Sequence, residues 1–308
     1  MKIVSLLPSA TEIVYALGLG DSLEGVTYEC DYPAEATTKP VISDTALPQD
    51  RPLSSREIDE AVRDRMDRKE PIYILNKELI KKIQPDLILA QDLCRVCAVP
   101  SGQVEDALRE LDSDAEVISL DPNTVSDVLE GIEAVGRATG TEKRAEELVA
   151  SLRQRIEELK AKAVRLPTIR TFCLEWMDPP FVGGHWVPEM VTAVGGENLL
   201  NAKGERSRTV TWKEIGDAQP EVVVFMPCGY YLPEAESEAT RIYGVPEMRP
   251  TTAIRTGSVF AVDASSYFSR PGPRIVDGME ILAWAIHPET FDEPPDGTIT
   301  RIQRLGAG

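Results

Sequence analysis

The stretch KELIKKIQPDLILAQDLC (77–94) recurs in outline as KEIGDAQPEVVVFMPC (213–228). Each copy opens on a short helical segment and stops at Gln-Pro followed by an acid. Each then runs through four apolar residues and ends in a loop holding Cys94 or Cys228. Proline fixes its own φ and pushes the residue before it out of the right-handed helical region, so both copies turn from helix to extended chain at the same point. An unbroken apolar run of this length reads as a strand buried on both faces, as in a parallel sheet covered by helices. Two copies in one chain predict two α/β lobes, each with such a strand at its centre. One larger α/β domain is the rival reading.

The flanking sequence extends the pattern. In the first block, strands are expected at 3–7, 23–27, 41–43, 86–90 and 115–120, and helices at 9–18, 55–67, 76–83 and 103–111. The helix at 55–67 carries a capping box, Ser54 with Glu57, within a charged surface insertion at 54–70. From Thr124 to about Val164 the spacing is helical throughout. The second helix there has apolar residues at Leu148, Leu152, Ile156 and Leu159, and its roughly 24 residues span about 36 Å. It reads as a rigid strut rather than a coiled-coil partner. After Pro167, strands are expected at 169–174, 221–226 and 258–263, and helices at 186–194, 211–217 and 273–286. The expected organisation is an N-terminal lobe (1–122), connecting helices (123–166) and a C-terminal lobe (167–308). The last ends in a Pro/Gly-rich tail (292–308) expected to be only partly ordered. The fold class is α/β, with mainly parallel sheets and a ligand cleft between the lobes, since open α/β sheets bind ligands beyond the carboxyl ends of their strands.

Composition narrows the function. The 308 residues are 42% hydrophobic and 27% charged, with a net charge of −18. An acidic chain lacks the basic face that nucleic acid or an anionic membrane requires. Five cysteines cannot all pair within the chain and fit a reducing compartment. Lys2 is the only basic residue before the first strand, so no secretory leader is read. The expectation is a cytoplasmic monomer, or an exported one whose leader has been removed. No Gly-x-Ser-x-Gly elbow, phosphate loop or dinucleotide fingerprint is present. With only His185 and His287, a zinc site of three histidines is impossible. His287, at a helix end before Pro288, reads as a cationic cap.

Three loops carry candidate chemistry. FCLEWMDPPFVGGHWVPEM (172–190) gathers Trp176, Phe181, His185 and Trp186 between a strand and a helix, either as lobe core or as an apolar platform for a planar ligand. SSYFSRPGPRI (265–275) repeats the arrangement with Tyr267, Phe268 and Arg270. QDLCRVCAVPSG (91–102) holds Gln91 and a Cys-x-x-Cys pair, Cys94 and Cys97. The spacing suits incidental thiols, a ligand-contacting loop, or a metal or redox site, and zinc would need two more ligands.

Read together, IVSLLPSATEIVYALGLGDSLEGVTYECDYP, IQPDLILA, PPFVGGHWVPEMVTAVGGENLL and SSYFSRPGPRI resemble class III substrate-binding proteins of ABC importers, above all the cobalamin-binding members. The resemblance covers residues 2 to about 287. It implies two lobes on one long helix, a ligand but no cofactor, and no enzymatic activity. It also implies aromatic side chains against the corrin, with Tyr267 at a matching position and Trp176 and Phe181 in the matching loop. Gln91 stands where cobalamin binders often carry an aromatic residue. The family docks on its permease through one glutamate per lobe: Glu78 matches the first, while Lys213 falls at the second with Glu214 beside it. Burying roughly 400 Å² of corrin would yield a gross gain on the order of 10 kcal/mol, before the losses of association. His185 or a cysteine is a candidate cobalt ligand. The alternatives are a haem or siderophore–iron binder, with Arg95, Arg270 and Arg274 for an anionic chelate, and a cytoplasmic metal or redox protein using Cys94, Cys97 and Cys228.

Overall fold

The computed structural model describes residues 1–48, 50–51, 53–93 and 99–303. Cys94, Arg95 and Cys97, and hence the Cys-x-x-Cys expectations, lie outside the described residues. Two compact units emerge: residues 1–122 with 126–150, and residues 123–125 with 151–308.

In the first unit β1 (Ile3–Ser5), α1 (Pro8–Ala16), β2 (Leu23–Thr27), β3 (Val41–Thr45), α2 (Ser55–Asp67), β4 (Tyr73–Leu75), α3 (Lys77–Ile83), β5 (Leu87–Ala90), α4 (Ser101–Glu110) and β6 (Glu116–Ser119) follow in order. Their strands form one sheet, β4-β3-β2-β1-β5-β6. Every pairing is parallel except that of β3 with the edge strand β4. Val4, Leu6, Ile42, Ile80, Ile88 and Val104 share its core. The capping box forms as expected: the Ser54 hydroxyl accepts from the Glu57 N–H while the Glu57 carboxylate accepts from the Ser54 N–H. After α5 (Val125–Thr139), Gly140 turns the chain at φ +66° into α6 (Glu142–Ala163). The division between the units falls inside α6.

The second unit continues with β7 (Ile169–Met177), β8 (Pro180–Val182), α7 (Val187–Ala193), β9 (Gly196–Asn198), β10 (Arg208–Thr209), α8 (Trp212–Asp217), β11 (Val222–Phe225) and α9 (Leu232–Ala239). It ends with α10 (Thr252–Thr256), β12 (Val259–Val262), α11 (Ala264–Tyr267), α12 (Ile275–Ile286) and β13 (Ile299–Arg301). Its sheet runs β10-β8-β7-β11-β12-β13, with β9 alongside β7. Here the expectation of a mainly parallel sheet needs correction. The β7–β11, β11–β12 and β7–β9 pairings are parallel, but β7–β8, β8–β10 and β12–β13 are antiparallel. The Pro-Pro turn folds β8 straight back along β7, and a two-residue connection cannot make a parallel crossover. The described part of the tail, residues 292–303, contributes a strand that was not expected. Ile299–Arg301 pairs with β12, and Thr298 and Ile302 are buried. The strand satisfies the backbone groups that β12 would otherwise leave open at the sheet edge.

The repeated stretch is a structural repeat. Gln84 and Gln219 both adopt left-handed conformations, φ +52° and +50°, before their prolines. β5 and β11 are fully buried along their lengths. Each is entered the same way: Asp86 N–H donates to the Lys2 carbonyl (2.9 Å), and Glu221 N–H to the Arg170 carbonyl (2.8 Å).

Candidate functional site

In the second unit, β7 and β8 build an aromatic face. Leu174 pairs with Val182 and Trp176 with Phe181, so two steps on β7 oppose one on β8. A bulge of this kind bends the strand and re-aims its side chains. Leu174, Met177 and Val182 enter the core, whereas Trp176 and Phe181 remain half-buried as a cross-strand pair. β10 extends the row with Thr209 beside Phe181. Tyr230, on the loop after β11, sets its ring edge-on to Trp176 with centroids 5.5 Å apart. Burial, reinforced by Glu238 and Glu234, pushes its phenol up to about 12, so it stays neutral. Tyr231 beside it is exposed. Neither tyrosine stands out in the sequence. The available signal is their position just beyond the second Gln-Pro strand.

The His185–Trp186 turn and the loop after β12 are locked together. Trp186 Nε1–H donates to the Phe268 carbonyl at 2.9 Å. Trp186 is 7% exposed and Phe268 2%, which leaves almost no surface for a ligand. Both side chains, expected among the ligand contacts, are thus buried where the start of α7 meets the end of α11. Tyr267 stays half-buried, with the Arg274 guanidinium over its ring at 5.5 Å. Its backbone is held by the close approach of Gly278, where a Cβ would lie 2.3 Å from the Tyr267 carbonyl oxygen. Arg270 is buried and donates to the Tyr231 hydroxyl (3.3 Å) and to Ser265 Oγ (3.4 Å).

His185 takes φ +55°, a conformation that L-residues adopt only when held. Its N–H donates to the Glu205 carbonyl (2.6 Å), and its own carbonyl accepts from Gly204 N–H (3.0 Å). Burial first, then the nearby Arg206 cation, lower its pKa, so the ring is neutral at pH 7. Its Nε2 is buried and has no hydrogen-bond partner among the described residues. His287 departs from its expected role as a cationic cap. It is 8% exposed, and burial lowers its pKa, so it ends α12 as a neutral ring.

In the first unit Gln91 is buried, its Nε2 donating to the Leu120 carbonyl at 3.0 Å. It closes the end of β5 rather than offering a surface. Beyond β2, Tyr28 and Tyr32 are exposed at 39% and 49%, a pair that the sequence reading did not single out. Their signal was again placement, two aromatics just after a predicted strand. Among the described residues no cluster of His, Cys, Asp and Glu is arranged to hold a metal ion. Cys30 and Cys173 are buried, and Cys228 is half-buried.

The two candidate docking positions are not alike. Asn76 caps α3 and Thr211 caps α8, so Glu78 and Lys213 both occupy the second helical position and both are exposed. Glu214 is one residue further on and folds back, accepting from the Thr211 N–H (2.7 Å) and hydroxyl (2.8 Å). Those bonds lower its pKa and engage its carboxylate. Lys213 pairs with Asp217 at 2.5 Å.

A family model described as periplasmic binding protein matches residues 3–265. Among curated relatives, an ABC transporter substrate-binding lipoprotein of Bacillus subtilis is 28% identical over 95% of this chain and 82% of its own length. The vitamin B12-binding protein of Vibrio cholerae is 24% identical over 91% of this chain and 86% of its own. Among solved structures, the periplasmic vitamin B12-binding protein of Vibrio cholerae superposes with a TM-score of 0.67 at 24% identity, covering 92% of this chain and 96% of that one. A periplasmic haem-binding protein of Pseudomonas aeruginosa gives 0.72 at 19% identity, with 99% of both chains covered.

Proposed function

We propose that this chain, which belongs to the periplasmic binding protein family, is the extracytoplasmic binding component of an ABC importer for cobalamin or a related corrinoid. The family consists of solute-binding proteins, so the chain is a binder and not an enzyme. The lipoprotein and periplasmic relatives support a location outside the cytoplasm, the alternative set beside the cytoplasmic expectation above. The importer's permease is the partner this reading implies, with Glu78 the candidate contact on the first unit. On the second unit the equivalent position is Lys213, and Glu214 is engaged in its cap.

The observation that carries the ligand class is the half-buried Trp176–Phe181 pair with Tyr230 edge-on beside it. Such a face offers apolar area and quadrupole contact to a flat macrocycle without requiring a charge. Tyr267, half-buried in the same unit, is a further candidate aromatic contact. Haem is the second reading, since an aromatic face selects for planarity and haem is also flat. Arg270, held by Tyr231 and Ser265, is the sequence-derived candidate cation for a propionate.

Titration of the purified protein with cobalamin and, separately, with haemin tests both, following tryptophan fluorescence and the visible spectrum. The expected result is saturation by cobalamin at one equivalent, weakened at least tenfold in Trp176→Ala. Saturation by haemin alone would move the assignment to haem. No response to either macrocycle would remove the planar-ligand reading.

A further inference from the structure

Glu175 sits at the bulge of β7, immediately before Trp176, and no role was read for it in the sequence. Its side chain turns to the neighbouring loop. Oε2 accepts from Ser207 Oγ at 2.5 Å and from the Gly184 N–H at 3.3 Å. Gly184 is itself pressed against that loop: a Cβ there would lie 2.1 Å from the Ser207 nitrogen and 2.6 Å from the Arg206 carbonyl carbon. Asn201 Nδ2 closes the same junction, donating to the Gly183 and Arg206 carbonyls at 3.1 and 3.2 Å. His185 exchanges backbone bonds with Glu205 and Gly204. The turn at 183–185 is therefore fixed to the 201–207 loop; Gly183 N–H ties the turn to the Cys173 carbonyl of β7 (3.0 Å), and the Glu175 carboxyl is the side chain that joins turn and loop to that strand.

We propose that Glu175 is a positioning residue: by accepting from Ser207 and Gly184 at the bulge, it couples the 201–207 loop to β7 and sets the attitude of the Trp176–Phe181 face toward a planar ligand. The inference rests on the proposed function for its ligand and on hydrogen bonding alone for its mechanism. Burial raises the carboxyl's pKa, against the lowering by its two donors. Both bonds need only an acceptor oxygen at the end of a side chain of this length, which glutamine also supplies. A shorter acid does not, because it cannot span to the loop.

The test compares Glu175→Gln, Glu175→Asp, Glu175→Ala and Ser207→Ala with the unaltered protein. Amide hydrogen exchange across 182–187 and 203–208 is measured first, without ligand, and the cobalamin titration second. The expected result is wild-type protection and affinity within twofold in Glu175→Gln. The Asp, Ala and Ser207→Ala variants should exchange at least tenfold faster in both segments while protection in β11 is retained, and should lose about as much affinity. Unchanged exchange in Glu175→Ala would overturn the coupling, whatever the ligand proves to be. Equal loss in Gln and Ala variants would overturn the acceptor mechanism. If the unaltered protein binds no cobalamin, the exchange result still decides the coupling, and only the ligand assignment falls.

Discussion

Glu175 and the two histidines shift in opposite senses, and their signs separate by pH. Burial raises Glu175, so its contribution to stability is full below about 4.5, the ordinary glutamate value, and is lost as pH rises through its raised folded value. His185 and His287 are depressed by burial. Their contributions are present above about 6.5 and are lost as pH falls through their folded values. Glu175→Gln removes the first effect and leaves the second. The variant's melting temperature should therefore gain on the wild type as pH rises from 4.5 to 7, and parallel curves would show that Glu175 titrates normally. At this scale the sequence revealed residue types but not exposure. Trp176, Phe181 and Tyr267 keep surface, while Trp186, Phe268 and Gln91 do not. Aromatic character is identical on both sides of that divide, and the difference lies in which neighbours each side chain meets.

At the scale of elements, the caps are the most legible local feature. Thr211 and Glu214 form a capping box on α8 as Ser54 and Glu57 do on α2. Thr211→Ala should cost about 1 kcal/mol, the usual loss of a side-chain N-cap, readable in urea unfolding. It should also free the Glu214 carboxylate. A change within a few tenths of a kcal/mol would mean that α8 is held by packing alone, through Ile215 and its neighbours. The long helix α6 was predicted from Leu148, Leu152, Ile156 and Leu159. Its buried stripe is Ala145, Val149, Leu152, Ile156, Leu159 and Ala163, with Leu148 only half-buried. The period was right, and the phase at its start was set by packing. Short strands such as β8, β9 and β10 escaped the reading, since two or three residues carry no alternation to detect.

For each unit as a whole, sheet edges decide what the chain tolerates. β13 covers β12, and its removal would leave that strand's backbone groups unpaired. A chain ending at Gly297 should melt several degrees lower and show concentration-dependent association by size-exclusion chromatography. Unchanged melting and a monomeric profile would make the tail dispensable. The sequence by itself determined the two α/β units and the central buried strands of both copies, with the helix that follows the first. These rest on periodicity and on proline's fixed φ, which act within a few residues. It also determined the family, through motifs spread along the chain. Only the tertiary structure decided the mixed second sheet, the edge strand drawn from the tail, the bulge that turns Trp176 outward and the clasp of Glu175 on Ser207. Each of these joins residues far apart in sequence or depends on which face a side chain presents. Both are fixed by packing and by the pairing of buried polar groups, not by local propensity.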